Sequence, residues 1–351
     1  MLSPGVGSFA HPRYKRQLMS ESGATSTGKR RRLPPTWALL LLAPVLGELV
    51  SCHQSPIELF NPLVFVLMAL PYGCGALLCR ELTVRWNKGL PALLLLGLAY
   101  GLFEEGVVVR SLFNPDWQEL GEMGRHGFMG GVHWVYGTML LHFHVYVSIV
   151  ASVLLAETLY PQRRRQPWLN RTGLALRTIG LLLWWPAGWA MTRYCPPAVF
   201  LVLPWVAIAL LVLAARLTPA LGAAPPRGAT PRPAWFFLVG LLSLSTVFVL
   251  VGVGAKARVP SAAVMLVILA AVEIATLCFL LRGTSSGAAW EDAHRFAWVA
   301  GTLAFFLFFG FAQDLEGFQG RSLVALVTIG ALWRHGRRIN ARSSAPLAAS
   351  V

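Results

Sequence analysis

Long apolar stretches separated by short polar or basic segments make up most of the chain. A helix that crosses a membrane needs about 20 mostly apolar residues, because each residue rises ~1.5 Å through a hydrocarbon core of ~30 Å. The pattern predicts an all-α fold, a polytopic transmembrane bundle of about ten spans. The predicted spans are 36–52, 60–79, 89–109, 132–159, 172–192, 198–215, 234–255, 262–281, 297–312 and 322–333. The first and last are short, and residues 305–333 could instead form one interrupted hairpin.

The composition supports a membrane protein. Of 351 residues, 56% are hydrophobic and 13% are charged, and the mean hydropathy is +0.59. Soluble domains carry about 25% charged residues. A soluble enzyme, a disordered chain and a disulfide-framed secreted domain are therefore excluded. The net charge of +15 comes from basic residues between the apolar stretches. A nucleic-acid binder needs such residues on one water-facing surface, so we expect a lipid bilayer as partner and no nucleic acid.

The basic residues also predict the orientation. Cytoplasmic loops are enriched in Lys and Arg, and a cytoplasmic N-terminus places most of the 30 basic residues inside. The outer loops then keep only Arg110, Arg125, Arg193, Lys256, Arg258 and Arg321. We therefore expect both termini in the cytoplasm and the protein in a bacterial-type inner (cytoplasmic) membrane.

The polar segments divide the chain into five parts. Residues 1–35 and 335–351 are predicted to be basic cytoplasmic tails. The first should be disordered and should attract anionic lipid. Residues 36–216 form a six-span part and residues 234–334 a four-span part. The Pro/Ala/Gly-rich segment 217–233 links the two parts in the cytoplasm. Met19 is an alternative start.

The five cysteines form no CxxC pair, which disfavours a structural zinc site or a thioredoxin-like redox motif. Cys52 and Cys195 are both predicted on the outer side and could pair. Leu-Val-Ser-Cys, ending at Cys52, also resembles a lipobox, and cleavage there would leave nine spans and a lipidated cysteine. Glu48 and the polytopic remainder argue against cleavage.

Ionisable side chains inside predicted spans are the candidates for function. Inserting an Asp, Lys or Arg at the centre of a span costs ~2.5–3.5 kcal/mol, and ionisable residues in spans usually face an interior cavity. His144 follows His133 by 11 residues, which places both within about 20° on one helix face, whereas His142 points about 180° away from His133. The residues concerned are Glu48, Glu104, Glu105, His133, His142, His144 and Glu273.

The outer third of the predicted bundle should hold a polar cluster of Glu48, Glu104, Glu105, Arg110 and His133, with His144 deeper. These groups could simply fix helix packing through hydrogen bonds. Alternatively they form a metal site or a proton relay. Carboxylates and imidazoles could then activate a water for hydrolysis, or bind and release a proton during transport. The metal and any other cofactor stay unassigned.

Two features flank this cluster. The external loop 110–131 is the longest and either lies along the membrane interface or caps a cavity above Glu104 and Glu105. The tryptophans at 184, 185 and 189 are typical of interfacial anchors.

Glu273 lies near the middle of the predicted span 262–281, which has no basic residue. It suits a coupling carboxylate in a transporter, or a neutral residue that packs against another span.

The segment from Phe103 to Arg110, Phe-Glu-Glu-Gly-Val-Val-Val-Arg, resembles the glutamate motif of CPBP-type intramembrane proteases, which include the CAAX prenyl proteases and abortive-infection proteins. The resemblance implies that Glu104 and Glu105 act as general base and water-orienting group. It also implies that His144, four residues before Ser148, is an oxyanion or leaving-group partner. Arg110 stands one residue further along than in that motif. The Glu-Glu and Phe-Asn-Pro segments are also similar to those of prokaryotic polytopic membrane proteins of unknown function.

Three functions remain open at this point. The carboxylates Glu104, Glu105 and Glu273 favour a proton-coupled transporter or permease. The resemblance favours a CPBP-like, metal-dependent intramembrane peptidase. The packing interpretation corresponds to a non-catalytic membrane scaffold. Lipid or glycan modification is a further alternative, so whether the protein is an enzyme stays open.

Overall fold

The computed structural model describes residues 33–223, 229–284 and 290–343. The first 32 residues of the predicted N-terminal tail, with Met19, lie outside these residues. Residues 224–228 of the predicted linker and 344–351 of the predicted C-terminal tail also lie outside them.

Each of the ten predicted spans coincides with one long helix of the described residues. The helices are α1 (Pro35–Val50), α2 (Pro62–Arg85), α3 (Leu90–Val108), α4 (Trp134–Leu159), α5 (Arg171–Thr192), α6 (Ala198–Leu217), α7 (Pro233–Ala255), α8 (Ala262–Thr284), α9 (Asp292–Leu315) and α10 (Arg321–Ser343). Short helical turns cover Pro56–Leu59, Gln118–Met123 and Pro161–Arg163. The described strands are β1 (Phe128–Met129) and β2 (Val132–His133), which pair antiparallel.

Seven of these helices are long and apolar enough to cross a membrane: α2, α3, α4, α6, α7, α8 and α9. Helix α1 is apolar but shorter. Helices α5 and α10 have 22 and 23 residues, but basic residues make them less apolar. The all-α, multi-pass fold is confirmed, while ten spans and cytoplasmic termini stay predictions.

Five segments of the helices are wound as π-helix. They are Val45–Val50 in α1, Ala69–Gly73 in α2, Phe103–Val108 in α3, His144–Ala151 in α4 and Leu250–Ala255 in α7. Hydrogen bonds in a π-helix run from residue i to i+5, and such turns are rare and frequent at functional sites. Those of α1, α3 and α4 contain the ionisable residues at 48, 104, 105 and 144.

Helix α4 is the centre of the bundle. The most apolar stretch of α4 is 89% buried, whereas the corresponding stretches of α6 and α8 are 11% and 22% buried. Helices α1, α3, α7, α8 and α9 all contact α4. Residues that α4 contributes are therefore shielded, and α6 and α8 are the most exposed of the seven long apolar helices.

Helices α7 and α9 approach each other closely at two glycines. A Cβ atom added at Gly301 would lie 2.0 Å from the backbone oxygen of Phe237, and one at Gly240 would lie 3.0 Å from the nitrogen of Thr302. Small residues allow this approach, as is usual where membrane helices pack.

The C-terminal helix extends further than predicted. Helix α10 continues to Ser343, so the predicted tail at 335–351 begins inside a helix. His335 is buried there, and its Nε2 lies 2.9 Å from Oγ1 of Thr158. Residues from Pro35 onward form one compact unit. The division into six-span and four-span parts stays a prediction.

The possible pairing of Cys52 with Cys195 is not observed, since both cysteines are free. Cys52 is buried and its thiol lies 3.7 Å from the carbonyl oxygen of Phe306, while Cys195 is exposed. Helix contacts at the end of α1 thus hold Cys52 against α9. Lipidation of this cysteine stays a prediction.

Candidate functional site

A buried carboxylate–imidazole pair joins α3 to α4. Oε1 of Glu105 lies 2.7 Å from Nε2 of His144, and the two side chains are 10% and 3% exposed. Ser111 donates a hydrogen bond from its hydroxyl to the other oxygen of Glu105. On the far side of the ring, Nδ1 of His144 lies 3.2 Å from Oγ of Ser148. The structure thus brings together Glu105 and His144, two of the predicted site residues.

The neighbouring Glu104 points to α5 instead. Its Oε1 accepts a hydrogen bond of 2.8 Å from the indole nitrogen of Trp184. Its Oε2 is buried and has no hydrogen-bond partner among the described residues. Trp184 is only 4% exposed, so the prediction that it anchors the protein at the interface is wrong. The tryptophan binds a carboxylate inside the bundle, and the apolar sequence around it does not indicate this contact.

Glu48 reaches the same region from α1. Its carboxylate lies near the hydroxyl of Tyr72 on α2, and its Oε2 is buried without a hydrogen-bond partner among the described residues. The ring of Tyr72 lies 6.3 Å from that of His144, and the ring of Tyr100 lies 5.6 Å from it on another side. The hydroxyl of Tyr100 is buried and has no partner among the described residues. We name Glu48, Glu104, Glu105 and His144 the glutamate–histidine cluster.

Glycines give the aromatic rings their space. A Cβ atom at Gly47 would lie 2.4 Å from the ring of Tyr72, and one at Gly75 would lie 2.4 Å from the ring of Tyr100. Neither tyrosine stood out in the sequence, because aromatic residues in apolar helices usually pack in the core. The glycines that face them were the available signal.

The cluster connects to the outer surface through a second pair. Nε2 of His53 lies 3.4 Å from Oε1 of Glu119, and these side chains are 48% and 43% exposed. Tyr136 donates a hydrogen bond of 3.0 Å to Glu119. Nδ1 of His53 lies 3.9 Å from Glu48. We name His53 and Glu119 the outer pair, and Glu119 comes from the loop 110–131 that follows α3.

Hydrogen bonding controls the protonation of the outer pair. The hydrogen bond to Glu119 and the charge of Glu48 raise the pKa of His53 to about 9, against the effect of burial. Burial raises the pKa of Glu119, but the hydrogen bond and charge of His53 outweigh it and leave that pKa below its ordinary value. Near neutral pH the outer pair is therefore an imidazolium and a carboxylate.

Arg110 and His133 lie outside the glutamate–histidine cluster, contrary to the prediction. Helix α3 ends before Arg110, whose φ of 58° turns the side chain away from the glutamates. Its guanidinium lies 3.9 Å from the ring centre of Trp189 and donates to the hydroxyl of Thr192. Nε2 of His133 lies 2.9 Å from the backbone oxygen of Asn114. Both residues hold the outer ends of helices in place.

Glu273 belongs to a separate polar group on another face of α4. Its carboxylate contacts Nδ1 of His142 and accepts a hydrogen bond of 3.2 Å from Tyr146. Ser243 lies 3.3 Å from the other nitrogen of His142 and accepts a hydrogen bond from Thr276. Glu273 is 25% exposed on the peripheral helix α8. Glu273 is therefore separate from the glutamate–histidine cluster and contacts another helix, α4.

The chemistry of the glutamate–histidine cluster is that of acids and bases. Among the residues that the structure describes, no three His, Cys, Asp or Glu side chains are grouped so that they could hold a metal ion. The side chains present therefore do not fit the metal expected for a metal-dependent peptidase. They can accept and donate protons, and the carboxylate of Glu104 accepts a hydrogen bond from a tryptophan.

Comparison with known proteins gives a family. The model of an uncharacterized membrane protein family matches residues 38–341, a range that includes the whole cluster and the outer pair. No curated protein matches the chain, and no solved structure matches it. The resemblance to CPBP-type proteases therefore rests on the segment 103–110 alone.

Proposed function

We propose that this chain, which belongs to the uncharacterized membrane protein family matched above, is a proton-coupled transporter. In this proposal the glutamate–histidine cluster binds and releases the coupling protons. The observation that carries it is the charge of the cluster. The cluster contains three buried carboxylates and a single buried imidazole, and none of the three carboxylates forms an ion pair with Lys or Arg among the described residues.

Electrostatics explains why this arrangement implies protons. Burying an ionised carboxylate without a counter-charge costs several kcal/mol or more, and the group takes up a proton instead. His144 can neutralise one carboxylate, and the outer pair holds a further positive charge at His53. Arg110, the nearest candidate counter-ion in the sequence, points away. The remaining negative charge of the cluster is then balanced by protons that can be exchanged.

The outer pair supplies a route for these protons. His53 and Glu119 are about half exposed, and His53 also lies 3.9 Å from the buried Glu48. Glu48 lies near Tyr72, whose ring centre is 6.3 Å from that of His144. A proton from the outer solution can pass through these groups to the Glu105–His144 pair. Glu273 is not part of this route, because its contacts hold it on another face of α4.

The π-helical turns provide the conformational part of the proposal. Conversion of one π-turn to α-helix rotates the following residues by about 100°. Such a change in α3 would withdraw Glu104 and Glu105 from Trp184 and His144. Protonation of Glu105 weakens its attraction to the imidazolium, and this lowers the free energy of the alternative arrangement. Proton binding and helix geometry are coupled in this way for any transported substrate.

The proposal is tested with the full chain in liposomes on a solid-supported membrane. A pH jump on the outer side should give a charge-displacement current in the natural protein. We expect the current to vanish in Glu105→Gln and in Glu104→Gln/Glu105→Gln. Glu316→Gln, which changes an exposed carboxylate at the outer end of α9, is the matched control and should keep the current.

Two results would contradict the proposal. One is an unchanged current in the double variant, provided that its thermal unfolding in detergent matches that of the natural protein. The other is an equal loss in Glu316→Gln. Infrared difference spectra should also show a protonated carboxyl band that disappears in the double variant. A scaffold function predicts instead that the double variant keeps every cellular phenotype of the natural protein.

A second candidate is a peptidase, favoured by the 2.7 Å contact of Glu105 with His144 and the unpartnered oxygen of Glu104. In it, Glu104 would hold the attacking water and His144 would protonate the leaving amine. The described side chains do not form a metal site, so activity would persist in a chelator. The test is cleavage of peptides in bicelles, with loss of cleavage in Glu104→Gln and its retention in Glu316→Gln. Absence of cleavage by the natural protein would reject this candidate.

A further inference from the structure

A cavity of about 520 Å³ lies at the end of the bundle that carries the basic loops, opposite the glutamate–histidine cluster. The ends of α2, α4 and α8, the starts of α3 and α9 and the segment after α6 surround it. We name it the basic cavity. The charged residues that line it are Arg80, Lys88, Arg164, Arg165, Arg295 and a single acid, Glu157.

The acids in and around the basic cavity do not balance its cations. Glu157 is shared, since its oxygens lie 3.1 Å from Arg295 and 3.7 Å from Arg80. The buried Glu81, just outside the lining, is also shared, by Arg80 at 2.8 Å and Arg85 at 3.3 Å. Arg164 pairs with Asp292. Lys88 donates only to the backbone oxygen of Thr218. The lining thus keeps a positive excess, and Arg165 contributes to it from an exposed position.

Two buried donors in the basic cavity have no hydrogen-bond partner. Nε of Arg80 and Nε of Arg295 are both buried without one among the described residues, and for Nε of Arg80 the closest carboxylate oxygen, on Glu157, is 3.7 Å away, which is too far for a hydrogen bond. Buried polar groups are nearly always satisfied, so each exception calls for an explanation. Guanidinium donors match the oxygens of a phosphate in geometry and charge. A bound phosphate group would supply the acceptors.

The opposite wall of the basic cavity is apolar. Leu93, Val153 and Leu154 lie on the inner side, and Leu281 lies on the peripheral helix α8. Leu281 is 41% exposed, so this wall continues onto a surface that faces lipid. A ligand with both an anionic phosphate and a hydrocarbon chain fits the two walls together. Basic pockets between helices on the cytoplasmic side are known to bind anionic headgroups.

We propose that the basic cavity is a binding site for the phosphate of an anionic membrane lipid, whose acyl chain leaves along Leu281. The phosphate contacts Arg80 and Arg295 inside the cavity, while Lys88 and Arg165 attract it at the rim. The site is distinct from the proton-binding cluster and does not depend on the transporter proposal. It also differs from diffuse attraction of lipid to basic tails, because it binds one lipid at a fixed place.

The test is native mass spectrometry of the full chain with dioleoylphosphatidylglycerol, with dioleoylglycerol and with inorganic phosphate. We expect one tightly held phosphatidylglycerol and no retained dioleoylglycerol, which has the same chains without phosphate. Removing one rim charge should weaken binding about fivefold, from ~1 kcal/mol per basic residue. Lys88→Gln/Arg165→Gln should therefore bind about 25-fold more weakly. Arg165 is exposed, so Arg165→Gln alone should not disturb folding and should weaken phosphatidylglycerol binding about fivefold.

The control variant Arg334→Gln/Arg338→Gln removes two exposed charges of α10 outside the basic cavity. It should change the affinity less than twofold. An equal loss in this control would overturn the proposal, because it would mean diffuse attraction. Retention of dioleoylglycerol, or no lipid held at all, would also overturn it. Binding of inorganic phosphate as tight as that of the lipid would keep the phosphate site but reject the lipid as its occupant.

Discussion

The coupling between Glu105 and His144 gives the sharpest test of the site, because the chain contains a second carboxylate–imidazole pair as a built-in control. The perturbation is a double-mutant cycle of Glu105→Gln, His144→Asn and both together. The same cycle is made for the outer pair with Glu119→Gln and His53→Asn. The buried pair is 2.7 Å apart with side chains 10% and 3% exposed, whereas the outer pair is 3.4 Å apart with side chains 48% and 43% exposed.

The expected magnitudes follow from burial. Coupling energies between helices in membranes average ~0.6 kcal/mol and reach ~1.7 kcal/mol. The Glu105–His144 pair is short, dry and charge-assisted, so we expect about 1.5 kcal/mol, near the upper limit. Water screens the outer pair, and exposed ion pairs contribute ~0.2–1 kcal/mol. A value of about 0.5 kcal/mol is expected there.

The assay is reversible unfolding in mixed micelles as the denaturing detergent is titrated. Tryptophan fluorescence follows the transition at the same pH for all seven proteins of the two cycles, which share the natural protein. A coupling energy for Glu105 and His144 no larger than that of the outer pair would refute the reasoning. It would mean that the 2.7 Å contact is not a stabilising interaction, and the proposed proton site would lose its central pair.

Three further predictions concern stability and topology. Gly301→Ala should destabilise the protein by about 3 kcal/mol, because its Cβ would lie 2.0 Å from a backbone oxygen. Gly330 has open space around it, so Gly330→Ala should instead raise thermal stability by ~0.5–1 kcal/mol. Equal effects of the two substitutions would contradict this prediction. The raised pKa of His53 means that its stabilising contribution is present below about pH 6.5 and is lost as the pH rises through about 9. His53→Gln should therefore lower the free energy of unfolding at pH 6 by less than ~1 kcal/mol, because solvent screens the pair. At about pH 10 the variant and the natural protein should be equally stable. A difference in stability that does not change with pH would argue against the ion pair of His53 and Glu119. A membrane-impermeant maleimide applied outside intact cells should label the exposed Cys195, and labelling only after lysis would reverse the predicted orientation.

The helices could be predicted from the sequence because hydrophobic length alone decides them. Each predicted span coincides with one helix, and the start of α2 follows from Asn61, whose side chain accepts a hydrogen bond from the nitrogen of Leu63. The end of α10 could not be predicted. Its last turns are polar and basic, and they stay helical because His335 packs against Thr158, a contact between residues far apart in the chain.

The candidate site was only partly predictable. Glu105 and His144 could be expected on one face of the bundle, and they do meet. Arg110 could not be placed, because a single left-handed residue after α3 reverses the direction of its side chain. His53 and Glu119 lie in loops, where no periodicity shows which residues meet. Tyr72 and Tyr100 have the composition of core residues, and only the glycines opposite them indicate otherwise.

The π-helical turns also have a meaning for how such a protein can change over evolution. A π-turn contains one residue more than the α-turn it replaces, so each is equivalent to a single-codon insertion that the rest of the bundle absorbs locally. Deleting Phe103 would restore a plain α-helix and turn Glu104 and Glu105 away from their partners by about 100°, while the apolar span remained long enough. Loss of the site therefore requires neither loss of the fold nor any substitution of a glutamate.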